Sequence, residues 1–306
     1  MPVDKIIEDE QILTDSGFYW REHDGVKVLV CRALEEHGFA NGFSTRLGGV
    51  SRFSSPTVLG GVTEGRGGAA GNDLNLAGFD EDSAENIYEN RRRFLNVFDG
   101  DFQLASAWQV HGDWIKILKT NEDAANSDEK FDSLISNLDN VFVGVKTADC
   151  VPVLIGDTKT RAYAAVHAGW RGTVQSIVRK SVEAMKENYG SEPRDLICVI
   201  GPAAGGESYE IGSDVIEAFA NNLNDSDKYF TTTREGHALV DLHSANEDQL
   251  LSLGASAKNI FKVPFCTMTR TDLFFSYRVE KKLFGKTGRL MSVIGRSTDP
   301  TIEPLR

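Results

Sequence analysis

Two apolar runs, at positions 151–155 and 162–166, flank the polar segment Gly156-Asp157-Thr158-Lys159-Thr160. This pattern predicts an antiparallel hairpin. A fold symmetric about Thr158 and Lys159 sets Cys150 opposite His167, one just before the first strand and one just after the second. Directly opposed residues have Cβ atoms roughly 4.5–5.5 Å apart, so a thiolate and an imidazole there can share one metal ion or one proton. Gly169-Trp170-Arg171-Gly172-Thr173 follows, and then a helical stripe of Val174, Ile177, Val178, Val182, Met185 and Tyr189. Thr173 is the expected N-cap of that helix and Gly190 its C-terminal stop.

The other elements group around this hairpin. Short strands are expected at 18–20 and 26–33, then at 102–110, 114–118, 196–200, 260–263 and 290–294. Asp82 and Glu85 suggest a capping box ahead of a helix carrying Ile87, Phe94, Leu95 and Phe98. Further helices are expected at 213–223 and 244–253, and 121–130 reads as a charged connector. Hairpin-forming strands mixed with helices, without clean βαβ alternation, indicate an α+β sandwich. No repeat or linker divides the chain, so one domain over residues 1–306 is expected, with a polar Gly-rich loop at 52–72. That loop does not match GxGxxG and follows no strand, and Gly285-Lys286-Thr287-Gly288 lacks the upstream glycine of a phosphate loop.

Charge narrows the partners. The 306 residues carry a formal net charge of −12, which argues against nucleic acid and against an anionic membrane surface. An anionic small substrate stays compatible, because a few arginines make a local positive pocket. The N-terminus is acidic, with no apolar signal segment, and no run approaches the ~18 apolar residues of a membrane span. The four scattered cysteines, Cys31, Cys150, Cys198 and Cys266, read as reduced thiols of a cytoplasmic protein.

His111 ends a strand and precedes Gly112, so its ring can project into a cleft. With Cys150 and His167 it would supply three ligands and leave a fourth tetrahedral position open, as in catalytic zinc sites. Imidazole and thiolate donors suit zinc or copper and not magnesium or calcium. Cys150 and His167 would serve equally as nucleophile and base without metal, and a buried cysteine or a strand-end histidine can also be purely structural. Asp149 could orient an imidazole or cap a turn. Arg171 beside a helix N-terminus, and Arg46 ahead of Gly48 and Gly49, would suit a phosphate or carboxylate; a salt-bridged arginine is the plainer reading of each. The aromatic run Phe274, Phe275, Tyr277 reads as core or cleft wall.

The chain resembles the YfiH-like family, also called the laccase-domain or multicopper polyphenol oxidoreductase family. The resemblance runs in order over about 43–295. It rests on Phe43-Ser44-Thr45-Arg46-Leu47-Gly48-Gly49, Asn75-Leu76, Gln109-Val110-His111-Gly112, Ala148-Asp149-Cys150 and Ala165-Val166-His167-Ala168-Gly169-Trp170-Arg171-Gly172. Ser208-Tyr209-Glu210 and Asp272-Leu273-Phe274-Phe275-Ser276-Tyr277-Arg278 continue it. It implies a layered α/β/β/α sandwich similar to the catalytic domain of cytotoxic necrotising factor toxins, and zinc at His111, Cys150 and His167. It also implies purine nucleoside phosphorolysis, acting on adenosine, inosine, guanosine or methylthioadenosine with phosphate, and adenosine deamination. Arg46, Arg171, Asn75 and Gln109 would then contact substrate or phosphate. The chain departs from the pattern in its long 52–72 loop and in Ala203-Ala204-Gly205-Gly206, where many members carry cysteines.

The laccase name fails on arithmetic. A blue-copper centre with a trinuclear cluster needs more histidines than the six present, several in HxH pairs that this chain lacks. A single copper at the same three ligands stays open, as do a cysteine-type amide hydrolase of peptidoglycan precursors and a non-catalytic metabolite-binding protein.

Overall fold

The computed structural model describes residues 3–53, 72–125 and 129–297, so most of the 52–72 loop lies outside the described residues. Two six-stranded sheets form the body of the molecule. The first runs, edge to edge, Phe18–His23, Val26–Cys31, Ala40–Ser44, Leu290–Arg296, Val141–Thr147 and Gln103–Ser106. The second runs Ile260–Lys262, Leu196–Ile200, Val151–Asp157, Tyr163–Ala168, Ser133–Ser136 and Ile115–Leu118. A separate three-stranded sheet orders Glu210–Gly212, His237–Val240 and Phe230–Arg234.

The layers follow from which faces are apolar. Leu29, Phe43, Val143, Val145, Leu290 and Ile294 of the first sheet share one buried cluster with Leu134, Leu154, Tyr163, Ala165, Ile197 and Val199 of the second. The two sheets therefore pack face to face. The outer face of the first is covered from the helix Ala84–Leu95, through Phe94 and the following Phe98, which packs on Phe142. The outer face of the second is covered by the helices Ile177–Tyr189, Ser213–Asn222 and Leu242–Ser252. The order is helix, sheet, sheet, helix. Strands covered on both faces need apolar residues at every position, which is why Val151–Asp157 reads as a run and is buried throughout. Each large side chain so buried contributes about 1.5–3 kcal/mol.

Several expectations need correcting. His167 pairs with Pro152, and Ala168 with Val151, so the hairpin is not centred on Thr158 and Lys159. Arg161 adopts a left-handed backbone (φ 66°) and its N–H bonds the Asp157 carbonyl, which lengthens the turn and shifts the pairing by two. The helix after Gly169 begins at Trp170, three residues before the expected N-cap Thr173; it breaks at Ser176 (φ 59°) and restarts as Ile177–Tyr189. Gly190 does end it in the left-handed region, with φ 74°. Ser83, not Asp82, caps the helix Ala84–Leu95, its hydroxyl accepting from the Asn86 N–H at 3.2 Å. The expected strand at 102–110 is limited to Gln103–Ser106. The helices Val3–Asp15, Asn121–Ala125 and Tyr277–Phe284, and the small third sheet, were not anticipated. No helix among the described residues is long and apolar enough to cross a membrane.

Candidate metal centre

The chain passes from the first sheet to the second between Gln103–Ser106 and Ile115–Leu118, and again between Val141–Thr147 and Val151–Asp157. His111 lies in the first passage and Cys150 in the second. Both passages use left-handed backbone, at His111 itself (φ 59°) and at Asp149 (φ 83°). His167 comes from within the strand Tyr163–Ala168. The ligand-type atoms of His111, Cys150 and His167 all lie within 4.8 Å of one another, and the two rings meet edge to face with centroids 4.9 Å apart. Among the described residues this is the one group of three or more His, Cys, Asp or Glu placed to hold a metal.

The corrected register explains how Cys150 and His167 still meet. A shift of two residues keeps both on the same face of the ribbon, where a shift of one would have separated them. Cys150, one step beyond the Val151–Ala168 pair, now faces Gly169. A Cβ on Gly169 would stand 2.9 Å from Cys150 Sγ and 3.3 Å from His111 Cδ2, so glycine is what leaves the space between the ligands.

Asp132, which the sequence reading passed over, holds the arrangement. It is fully buried, immediately before the strand Ser133–Ser136. Its Oδ1 accepts from His167 Nδ1 at 2.8 Å and from the His111 N–H at 3.0 Å. Its Oδ2 accepts from the N–H groups of Gly112 (2.8 Å) and Val110 (3.2 Å), while its carbonyl accepts from the His167 N–H at 2.7 Å. One carboxylate thus fixes the His167 ring and closes the loop that presents His111. With Nδ1 donating to Asp132, the remaining nitrogen of His167, Nε2, is the one free to ligate. Burial raises a carboxyl, but the His167 ring and these N–H groups hold Asp132 below its ordinary value.

Burial also pushes the Cys150 thiol up, yet the charge of His167 and hydrogen bonds from both histidines bring it down to about 6. For His167 burial works downward; the Cys150 charge and Asp132 outweigh it and raise the ring to about 9. The pair favours thiolate beside imidazolium, and either a metal ion or a proton can sit between them. Two imidazoles and a thiolate, already convergent around a gap that no side chain fills, fit one ion with bonds of about 2.0–2.3 Å after small shifts.

Asp149 turns away from this centre. Its carboxylate accepts from Thr267 Oγ1 (2.7 Å), Ser276 Oγ (3.0 Å) and the Arg278 N–H (2.6 Å), tying the start of the helix Tyr277–Phe284 to the residue before Cys150. Beside the centre lies a cavity of about 360 Å³ whose lining includes Trp170, Tyr209, Glu210, Arg234, His237 and Arg278. Tyr209 is half-buried, and burial followed by the Cys150 charge raises its hydroxyl above the ordinary value.

The remaining expected site residues are placed differently. Arg46 is 2% exposed, its Nε 2.8 Å from Asp73 Oδ1 and its Nη1 2.5 Å from Glu280 Oε1. Asn75 is fully buried, donating to Asp82 Oδ2 (3.0 Å) and accepting from the Arg289 N–H (2.8 Å). Gln109 grips the Lys146 backbone through both ends of its amide, at 2.6 and 2.7 Å. Arg171 is exposed and stacks on Trp170, 4.2 Å from the ring centroid. Phe274 and Phe275 are fully buried between the sheets, and all four cysteines are free.

Known proteins resemble this chain in sequence and fold. A family described as multi-copper polyphenol oxidoreductase laccase matches residues 40–297. A purine nucleoside phosphorylase of Bacteroides thetaiotaomicron is 39% identical over 164 residues, which span 53% of this chain and 60% of that protein. The purine nucleoside phosphorylase YfiH of Escherichia coli K12 is 31% identical over 279 residues, covering 88% of this chain and 98% of that one. The crystal structure of YlmD from Geobacillus stearothermophilus superposes with a TM-score of 0.79 at 28% identity, over 92% of this chain and 99% of that chain. With its histidine–cysteine–histidine cluster in place, the chain belongs to the YfiH-like, laccase-domain family.

Proposed function

We infer that this protein is a purine nucleoside phosphorylase that works with one zinc ion at His111, Cys150 and His167. The observation that carries the reading is the convergence of those three donors beside a cavity with aromatic and cationic walls. Relatives named purine nucleoside phosphorylase support the substrate class. In phosphorolysis a phosphate oxygen bonds to C1′ of the ribose, the C1′–N9 bond breaks, and its electron pair leaves with the purine. Zinc would supply a Lewis acid with one open position, which also suits water as the nucleophile for adenosine deamination. Asp132 keeps the His167 ring in the tautomer and orientation that ligation needs. Trp170, with Arg171 over its ring, offers aromatic surface to a purine. One cluster of this kind among the described residues suits a mononuclear centre and not a multicopper oxidase.

The test is incubation of the zinc-loaded protein with adenosine, inosine, guanosine or methylthioadenosine and phosphate. The free base and the sugar 1-phosphate are expected, and hypoxanthine in addition from adenosine. Cys150→Ala should lose both the metal and turnover while its far-UV circular dichroism stays that of the wild type. Absence of product at high enzyme concentration, with zinc confirmed by elemental analysis, sinks the reading.

A second reading has its own observation. Cys150, His167 and Asp132 stand in the order nucleophile, base and orienting carboxylate, the last two 2.8 Å apart. This suits a cysteine-type amide hydrolase. Covalent labelling of Cys150 by an amide substrate that persists after chelation would favour it over the phosphorylase.

A further inference from the structure

The cavity beside the metal centre is walled on one side by the small third sheet. Glu210 and Ile211 come from its strand Glu210–Gly212, His237 from His237–Val240 and Arg234 from Phe230–Arg234. Its volume falls within the range of small-molecule sites. Its charges are unevenly matched. Arg234 pairs with Glu210, Nη2 to Oε2 at 2.9 Å, and Glu210 also accepts from Thr233 Oγ1 at 2.8 Å. Asp214 is exposed in the first turn of the helix Ser213–Asn222, where the helix N-terminus offsets its charge. Among the described residues Arg278 makes no ion pair with a carboxylate. Its guanidinium stacks on Tyr209, 4.7 Å from the centroid, and donates one Nη1 hydrogen bond to the Glu210 carbonyl at 2.6 Å. Its backbone N–H is held at 2.6 Å by Asp149, the residue before Cys150. An exposed arginine positioned from both ends, with donors left over, lies on the wall of a cavity whose lining also includes Trp170, three residues after His167.

We propose that this cavity is the phosphate subsite of the protein and that Arg278 binds the phosphate dianion, with Tyr209 as the platform that orients the guanidinium. The proposal rests on the phosphorylase reading for the identity of the anion, but the geometry asks only for a phosphate group. Arginine suits it because its planar fork can meet two phosphate oxygens while its face stays stacked. The phosphate could be free, as the attacking co-substrate, or it could be the 5′-phosphate of a nucleotide. The two sources share this chemistry. Arg46, which the sequence offered for an anion alongside Arg171, pairs instead with Asp73 and Glu280.

The experiment compares wild-type zinc enzyme with Arg278→Gln and Arg278→Lys, varying phosphate at saturating inosine and then inosine at saturating phosphate. Loss of a charge-assisted pair should raise the KM for phosphate about 10- to 100-fold in Arg278→Gln, with the KM for inosine and the zinc content unchanged. Arg278→Lys keeps the charge but not the fork and should fall between. An unchanged KM for phosphate, or a rise confined to inosine, overturns the assignment. If the wild type cleaves no nucleoside, the phosphorylase reading fails by itself, and calorimetric titration with inorganic phosphate decides the subsite. Binding by wild type that Arg278→Gln loses supports it; equal binding, or none by the wild type, overturns it. Adenosine 5′-monophosphate is titrated in parallel. Tighter binding than inorganic phosphate, again lost in Arg278→Gln, keeps the subsite and assigns its anion to a nucleotide.

Discussion

Two polar clusters, one around Arg46 and one around Cys150, both look like sites in the sequence. Their geometry separates them. In the first, Arg46 sits 4.5 Å over the Phe275 ring and spends Nε and Nη1 on Asp73 and Glu280, with the Thr271 carbonyl 3.1 Å from Nη1. Glu280 is itself taken up by Thr287 Oγ1. These charged partners face one another, while Arg46 Nη2 is buried without a hydrogen-bond partner among the described residues. In the second, Asp132 holds the histidines from behind, and His111, Cys150 and His167 all point at a shared gap kept open by Gly169. Charge is common to both, but His111 is exposed and Cys150 half-buried, whereas Arg46 and Glu280 are buried. What distinguishes the second is that its three ligand-type atoms gather within 4.8 Å of one another, as donors to a single metal ion must.

The largest expected effect breaks the closed cluster. Arg46→Met keeps the aliphatic volume but leaves Glu280 and Asp73 without their cation, and an unpaired buried carboxylate costs about 3–5 kcal/mol. Urea unfolding should show that loss in the metal-free protein, with zinc uptake by the folded fraction unchanged. If Arg46→Met instead raises the KM for phosphate at wild-type stability, the cluster is open to substrate and the contrast fails.

Next comes the support of the open cluster. Asp132→Asn keeps the shape yet loses the charge that orients His167, and outer carboxylates of this kind typically contribute 10- to 100-fold to metal affinity. Competition with a chromogenic chelator should show a weakening of that order in the zinc Kd. An unchanged Kd would make Asp132 a purely structural residue that closes the His111 loop.

The same contrast shows what was legible in the sequence. Cys150 and His167 could be found because a hairpin restricts which residues meet, and a register error of two left their face unchanged. Asp132 carried no such signal. Its link to His167 spans 35 residues and two neighbouring strands, and Phe131-Asp132-Ser133 resembles any strand entry. At Arg46 the plainer, salt-bridged reading holds, and the glycines beside it have another purpose. A Cβ on Gly48 would lie 2.3 Å from the Gly25 carbonyl oxygen, and one on Gly49 would lie 2.1 Å from that of Asp73. Those glycines admit neighbouring backbone and no ligand. The third sheet escaped because its strands are three to five residues long and Phe230–Arg234 is mostly exposed, too short and too polar for period-two alternation. The helix Val3–Asp15 docks through Leu13 and through Asp9, which pairs with Arg270 from the far end of the chain. Nothing local announces that contact.

The smallest effect lies at the other end of the same hairpin, where Asp157 is a second closed carboxylate. Its Oδ1 accepts from the N–H groups of Lys159 (2.7 Å) and Thr160 (3.1 Å), and its Oδ2 from Thr160 Oγ1 (2.7 Å). These bonds close the long turn between the two paired strands. Burial raises this carboxyl, but Ser191, Thr160 and Lys159 pull it below its ordinary value. A depressed carboxyl stabilises the fold above the unfolded-state pKa, near 4, and loses that contribution as pH falls through the lower folded-state value. Asp157→Ala should therefore destabilise the protein by about 1 kcal/mol at neutral pH, with the gap from wild type closing in acid below pH about 4. Zinc affinity should not move, because the strand pairing nearer Cys150 anchors the register independently of the turn. A loss of zinc binding in Asp157→Ala would mean that the turn, and not the sheet, sets Cys150 against Gly169, and the open cluster would then depend on a closed one seven residues along the chain from Cys150.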